Sequence, residues 1–148
     1  VFKNKIENTL FAGIYNEEIF RELKNKKNKI VIKDSISKKK ISISIDKFYL
    51  KNDNAIVISN NNTVIFTKYR KPFHYLSDFR ELNINLKKYK ILIVKSGYLS
   101  PELKKLKADN FMILTDGFVT QDFKRIKNLF REKPIYPFQK NFRYNIAI

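Results

Sequence analysis

The stretch "ILIVKSGYLSPELKKL", residues 91–106, decides the fold class. Ile91 to Val94 form an unbroken apolar run without polar alternation, the pattern of a strand buried on both faces, as in parallel sheets. A polar turn, Lys95-Ser96-Gly97, follows. Ser100 and Pro101 then announce a helix, because a serine side chain accepts a hydrogen bond from a free backbone N–H and proline suits the first helical position. A second apolar run, "NFMILTDG" at 110–117, comes next. Strand, helix and strand in that order predict a βαβ unit with parallel strands.

Upstream the period changes. "ISISID" alternates Ile41, Ile43 and Ile45 with polar residues, the period-2 mark of a strand with one wet face. "AIVIS" and "TVIFTKY" flank Asn60-Asn61-Asn62, and asparagine tolerates the left-handed angles of a hairpin turn. These runs predict an antiparallel meander in the first half. At the start, "NTLFAGIYNEEIFRELK" reads as a short strand and a helix capped by Asn16, with Glu17 and Glu18 at its positive end and Ile19, Phe20 and Leu23 as its buried stripe. "LSDFRELN" reads as a short helix with Ser77 at its cap, and "TQDFKRIKNLF" as a further helix. Prolines 134 and 137 make the tail extended. The expected fold is a mixed α/β single domain over residues 1–148: a meander, then the βαβ unit.

Composition bounds the partners. The chain has 148 residues, 43% hydrophobic and 30% charged, an ordinary globular balance of one domain's length. No apolar run approaches the ~18 residues that span a bilayer, and no signal-peptide pattern opens the chain, so a cytoplasmic protein without membrane contact is expected. The absence of cysteine excludes disulfides and thiolate metal ligands. A net charge of +17 attracts phosphates. Lysine is nevertheless spread through Ile- and Asn-rich stretches such as "KNKKNKIVIK", which reads as a compositional bias, with only the tail from Lys124 locally basic. Charge by itself speaks to solubility and association. The chain opens on Val1 and is read as a piece of a longer polypeptide.

The residues offer few catalytic patterns. A phosphate loop wants several glycines, and the 95–97 turn has one. Ser96 lies in no GxSxG elbow and has no histidine evident nearby in sequence. Lys95 sits where α/β sheets bind ligands, at the carboxyl end of a strand, although a solvated strand-end lysine is the simpler account. His74 is the single histidine, too few for a zinc site built on histidines. Asp109 and Asp116 read as turn residues, and Asp78 with Glu81 as a solvated pair on one helix. No residue set marks a metal or cofactor site.

Three blocks in order carry a resemblance. "TVIFTKYRKPFHYLSDFRELNINLKKYKILIVKS" resembles a hairpin strand, an R-x-x-P-F loop, a short helix and a strand ending in K-S. "LTDGFVTQDF" resembles a D-x-x-G-x-x-[ST]-x-D segment, and "EKPIYPFQ" a closing R-R-P-[IL]-[YFW]-P-L-D. Together they resemble the C-terminal domain of the microcystinase C (MlrC) type metallopeptidases, most specifically over 63–139. The resemblance implies an accessory domain that packs on a preceding metal-binding domain and helps wall its cleft. Zinc in that preceding domain would activate water for hydrolysis of a peptide-like substrate, and this chain would bind no cofactor itself and be inactive alone. Lys95 and Ser96 match the family's K-S turn and are the cleft candidates. The family's following His and Arg are missing, with Leu99 where the His would fall, and the Gly-rich segment before the meander is replaced by "KDSISKKK". These departures also admit a degenerate, non-catalytic subunit of the same family. A stand-alone basic module for nucleic acid is the remaining alternative.

Overall fold

The computed structural model describes residues 6–25, 28–33, 38–96, 98 and 100–113. Contacts divide the chain into two compact units, Val1–Asn110 and Phe111–Ile148. The fold below is that of the first; of the second, only 111–113 are described.

Strand β1 (Thr9–Tyr15) leads into helix α1 (Glu17–Lys24). Asn16 caps α1 as its sequence predicts, its side chain accepting from the Ile19 N–H, with Glu17 and Glu18 in the first turn. Ile19 and Leu23 are buried and Phe20 half-buried. A hairpin of β2 (Lys29–Lys33) and β3 (Lys40–Ser44) follows as a separate two-stranded antiparallel sheet. Its alternation turns Ile30 and Ile43, direct partners in register, into the core, whereas Ile41 at the hairpin's far end stays exposed.

Strands β4 (Lys47–Lys51), β5 (Asn54–Ser59) and β6 (Asn62–Thr67) form the antiparallel meander. Both connections are two-residue turns with positive φ at each position, Asn52-Asp53 and Asn60-Asn61. That geometry matches the right-handed twist of the flanking strands, and the short polar side chains of Asn and Asp tolerate it. After β6 come α2 (Leu76–Arg80), a 3-10 turn at Leu86–Lys88, β7 (Ile91–Val94) and α3 (Pro101–Lys104). Ser100 caps α3, accepting from the Leu103 N–H, with Pro101 at the first turn.

The main sheet runs β4-β5-β6-β1-β7. β1 pairs in parallel with β6 on one side and with β7 on the other. The mixed α/β arrangement expected from the sequence is the one observed, with parallel and antiparallel pairs in one sheet. The parallel strand–helix–strand unit within the described residues is β6–α2–β7, and β1 lies between its two strands. Residues 110–113 form no strand. The rest of the run expected at 110–117, the helix over 120–130 and the tail lie outside the described residues.

Each face of this sheet carries a core. Leu10, Ala12, Ile56 and Ile65 project to one face and pack with Phe73, Phe79, Leu82, Ile84 and Leu103 from the connections and α3. Ala55, Val57, Val64 and Phe66 project to the other, under Ile19 and Leu23 of α1 and Ile30 and Ile43 of the hairpin. The alternation of β5 and β6 between the two clusters explains why both strands are buried almost throughout.

One expectation is corrected. Ser77 does not cap α2: the helix begins at Leu76, with Tyr75 in the cap position. The cap comes from Asp78 instead, whose carboxylate reaches back to accept the N–H of His74 at 3.1 Å and of Tyr75 at 2.9 Å. Asp78 is accordingly buried and not half of a solvated pair with Glu81. A carboxylate at N3 satisfies donors that the helix leaves free at its start.

Candidate functional site

Three parallel strands, β6, β1 and β7, end on the same side of the sheet, and their following segments meet there. Gly13 in β1 makes this possible. It adopts φ +85, and the β1–β6 register shifts between Ala12 and Ile14 around it. A Cβ at this position would lie 3.4 Å from both the Lys71 carbonyl oxygen and a Phe73 ring carbon. The β6–α2 connection thus crosses over β1 at its bulge, where the positive φ favours glycine and a Cβ would just touch the crossing chain. Phe73, buried against Phe79 with ring centroids 5.3 Å apart, anchors the crossing. Lys71 adds an ion pair to Asp78 at 3.1 Å.

The crossing delivers His74 to the turn after β7. His74 Nε2 lies 3.0 Å from Ser96 Oγ, and Nδ1 lies 3.1 Å from the Tyr98 hydroxyl. Ser96 Oγ also lies 2.6 Å from the Tyr98 carbonyl oxygen and accepts the Tyr98 N–H at 3.3 Å. A hydroxyl has a single proton to donate. The carbonyl can only accept, so Ser96 gives its proton there. With that proton committed, Ser96 Oγ is left to accept from His74 Nε2, and His74 Nδ1 shares a hydrogen bond with the Tyr98 hydroxyl. The result is a closed set of hydrogen bonds around the imidazole. The Ser96 proton points away from the imidazole, so this is not the geometry of a serine activated by a histidine base. It is a clamp that fixes the turn.

Further ties join the same segments. Ser100 Oγ donates to the His74 carbonyl, and the Leu76 N–H donates to the Glu102 carboxylate at 2.8 Å. Lys95 continues the β7 pairing through its N–H to the Ala12 carbonyl at 3.3 Å, and its side chain is exposed. The structure therefore brings Lys95 and Ser96 to the carboxyl end of the parallel strands, at the β7 edge of the sheet. Reading the sequence found the 95–97 turn but missed its histidine. The separation of 22 positions between His74 and Ser96 hides the contact. The signal was available in part: "PFH" follows one strand and "KS" another, and both strands pair with β1.

Exposed tyrosines gather at this end. Tyr15 closes β1, Tyr69 and Tyr75 lie in the β6–α2 connection, and Tyr98 follows β7; they are 44%, 60%, 58% and 57% exposed. The other described tyrosines, Tyr49 and Tyr89, are half-buried and donate to the Leu82 carbonyl and to Thr63 Oγ1. Burial, with Tyr89 adding to it, pushes the Tyr49 phenol above its usual pKa. Arg70 lies 5.6 Å over the Tyr15 ring and Lys68 5.1 Å over the Tyr69 ring. A side-chain hydrogen bond with Tyr69, with help from the charge of Asp53, holds the Lys68 ammonium above its ordinary pKa. Among the described residues no group of three or more His, Asp or Glu is placed to hold a metal ion, and no helix is long and apolar enough to cross a membrane.

A family model described as MlrC C-terminus matches residues 32–128. The chain belongs to the MlrC C-terminus family. Within this MlrC C-terminal domain the match takes in the meander, the crossing loop with His74, and the Lys95-Ser96 turn. It also takes in the "LTDGFVTQDF" block and stops short of "EKPIYPFQ". No curated protein and no solved structure matches the chain.

Proposed function

We propose that this MlrC C-terminal domain is the accessory domain of a zinc-dependent amide or peptide hydrolase. It packs on a metal-binding domain of the same polypeptide and closes one wall of that domain's cleft with the carboxyl end of its parallel strands. The observation that carries this reading is the position of Lys95 and Ser96. The family's K-S turn stands at the strand ends where α/β sheets take ligands, clamped by His74 and Tyr98 with the Lys95 side chain exposed beside it. In this role Ser96 holds the turn, and the Lys95 ammonium meets the substrate or the negative charge that develops on it. The described residues hold no ligand set for zinc, so on this reading the metal belongs to the companion domain, and this chain contributes position and charge.

Metal analysis of the native polypeptide that contains this chain tests the proposal. Stoichiometric zinc is expected, together with hydrolysis of peptide amides that stops on chelation and returns when zinc is restored. A polypeptide without metal, or hydrolysis indifferent to chelation, overturns it.

A further inference from the structure

The carboxyl-end rim has a charge imbalance that its own residues do not resolve. Of the carboxylates at this end, Asp78 is held by Lys71 and two backbone N–H groups. Asp53 pairs with Lys68, Glu17 with Arg21, and Glu102 accepts the Leu76 N–H. Among the described residues, Glu18 on α1 is exposed with no ion pair, and against it stand two exposed cations with no described carboxylate partner: Arg70, resting on the Tyr15 ring, and Lys95. Their contacts on β1, at Tyr15 and Ala12, are three residues apart, about 10 Å along the strand. Exposed tyrosines flank both. Tyrosine and arginine dominate the centres of protein interfaces, because they bury large area at small entropic cost and keep a polar tip.

We propose that this rim binds an acidic peptide segment. Arg70 and Lys95 each take a carboxylate, and the rings of Tyr15, Tyr69 and Tyr98 cover the apolar surface between. The inference rests on the cleft reading only in taking this end of the sheet as the one a ligand meets. Two features favour a peptide over single-stranded nucleic acid. A cation covers one face of the Tyr15 ring and one of the Tyr69 ring, leaving at most one face of each on which a base could stack. Two unpaired cations among the described residues of the rim would neutralise few phosphates, and the affinity of nucleic-acid binding comes largely from such contacts. Carboxylates paired bidentately by arginine need neither stacking nor many cations.

The test uses the 148-residue chain and a fluorescently labelled peptide of alternating Glu and Leu, read by anisotropy at physiological salt. Its Gln-for-Glu counterpart and a labelled oligouridylate are the comparisons. The acidic peptide is expected to bind at least about tenfold more tightly than the Gln peptide. The double variant Arg70→Gln, Lys95→Gln is expected to lose about tenfold, while Lys29→Gln, Lys40→Gln on the β2–β3 hairpin retains full binding. Far-ultraviolet circular dichroism confirms that both variants fold. Equal binding of the Gln peptide, equal loss in the hairpin variant, or oligouridylate binding more tightly than the acidic peptide with the same loss in the rim variant, each overturns the proposal. Because no metal or hydrolysis enters the readout, a native polypeptide without zinc would sink the hydrolase reading and leave this binding intact. Conversely, absent binding would leave the hydrolase reading standing.

Discussion

Phe73→Ala is expected to lower the unfolding free energy of the sheet unit by about 3–5 kcal/mol, the usual cost of deleting a fully buried phenylalanine. Phe73 has no exposed surface, packs on Phe79, and lies against the backbone of Gly13 where the β6–α2 connection crosses β1. The loss combines transfer of the ring to water with the cavity left above the bulge, since Gly13 contributes no side chain to refill it. Urea denaturation followed by circular dichroism measures the effect as a lower midpoint at unchanged slope. A second readout separates this from a generic core defect. The crossing positions His74, so the histidine ring signals in nuclear magnetic resonance should lose their contact with Tyr98 in Phe73→Ala. They should keep it in Ile43→Val, a change in the core on the opposite face of the sheet. A cost below about 1 kcal/mol would mean that the ring does not anchor the crossing.

Asp78→Ala is the second large effect, a loss of about 2 kcal/mol or more. The carboxylate of buried Asp78 accepts the N–H groups of half-buried His74 and exposed Tyr75, and alanine leaves both part-buried donors without this partner. Unsatisfied donors of this kind cost roughly 1–3 kcal/mol each when buried, and a lost helix cap about 1. The ion pair with Lys71, whose side chain is 44% exposed, adds at most about 1. Asp78→Asn keeps an acceptor oxygen and is expected to recover about half of the loss. The same denaturation experiment compares the two variants. Equal destabilisation by Asn and Ala would show that charge, and not the two accepted hydrogen bonds, carries the effect.

Local signals in the sequence were strong where local chemistry alone determines the structure. Asn16 and Ser100 cap their helices because their side-chain oxygens need only the next turn. The asparagine hairpin at 60–61 forms because its residues tolerate positive φ. The apolar run at 91–94 is a parallel strand, but it lies at the sheet edge with Ile91 and Ile93 exposed, and not buried on both faces as its pattern predicts. What could not be read was pairing across the chain. β1 was legible as a strand, but nothing in "TLFAGIY" states that it inserts between β6 and β7, where Leu10 pairs with Thr63 and Thr9 with Ile91. Without that insertion Gly13 is an unremarked glycine, and Ser96 has no visible histidine. Asp78 was misread for the same reason. On a short helix it looks solvated, and only the crossing loop folded back over it makes it a buried cap. The Lys95-Ser96 turn was legible as a strand end with the family's K-S pattern, while its clamp required the tertiary fold.

If the carboxyl end of the parallel strands faces the reacting substrate, the kinetics of Lys95→Ala in the native polypeptide will register it. kcat/KM for peptide-amide hydrolysis is expected to fall about 10- to 100-fold, the scale of losing one positioned charge in a cleft. Zinc content and thermal midpoint should stay at their wild-type values, and Lys40→Ala on the β2–β3 hairpin should leave kcat/KM unchanged. A Lys95→Ala enzyme with wild-type kcat/KM would contradict the claim and place the cleft away from this end of the sheet.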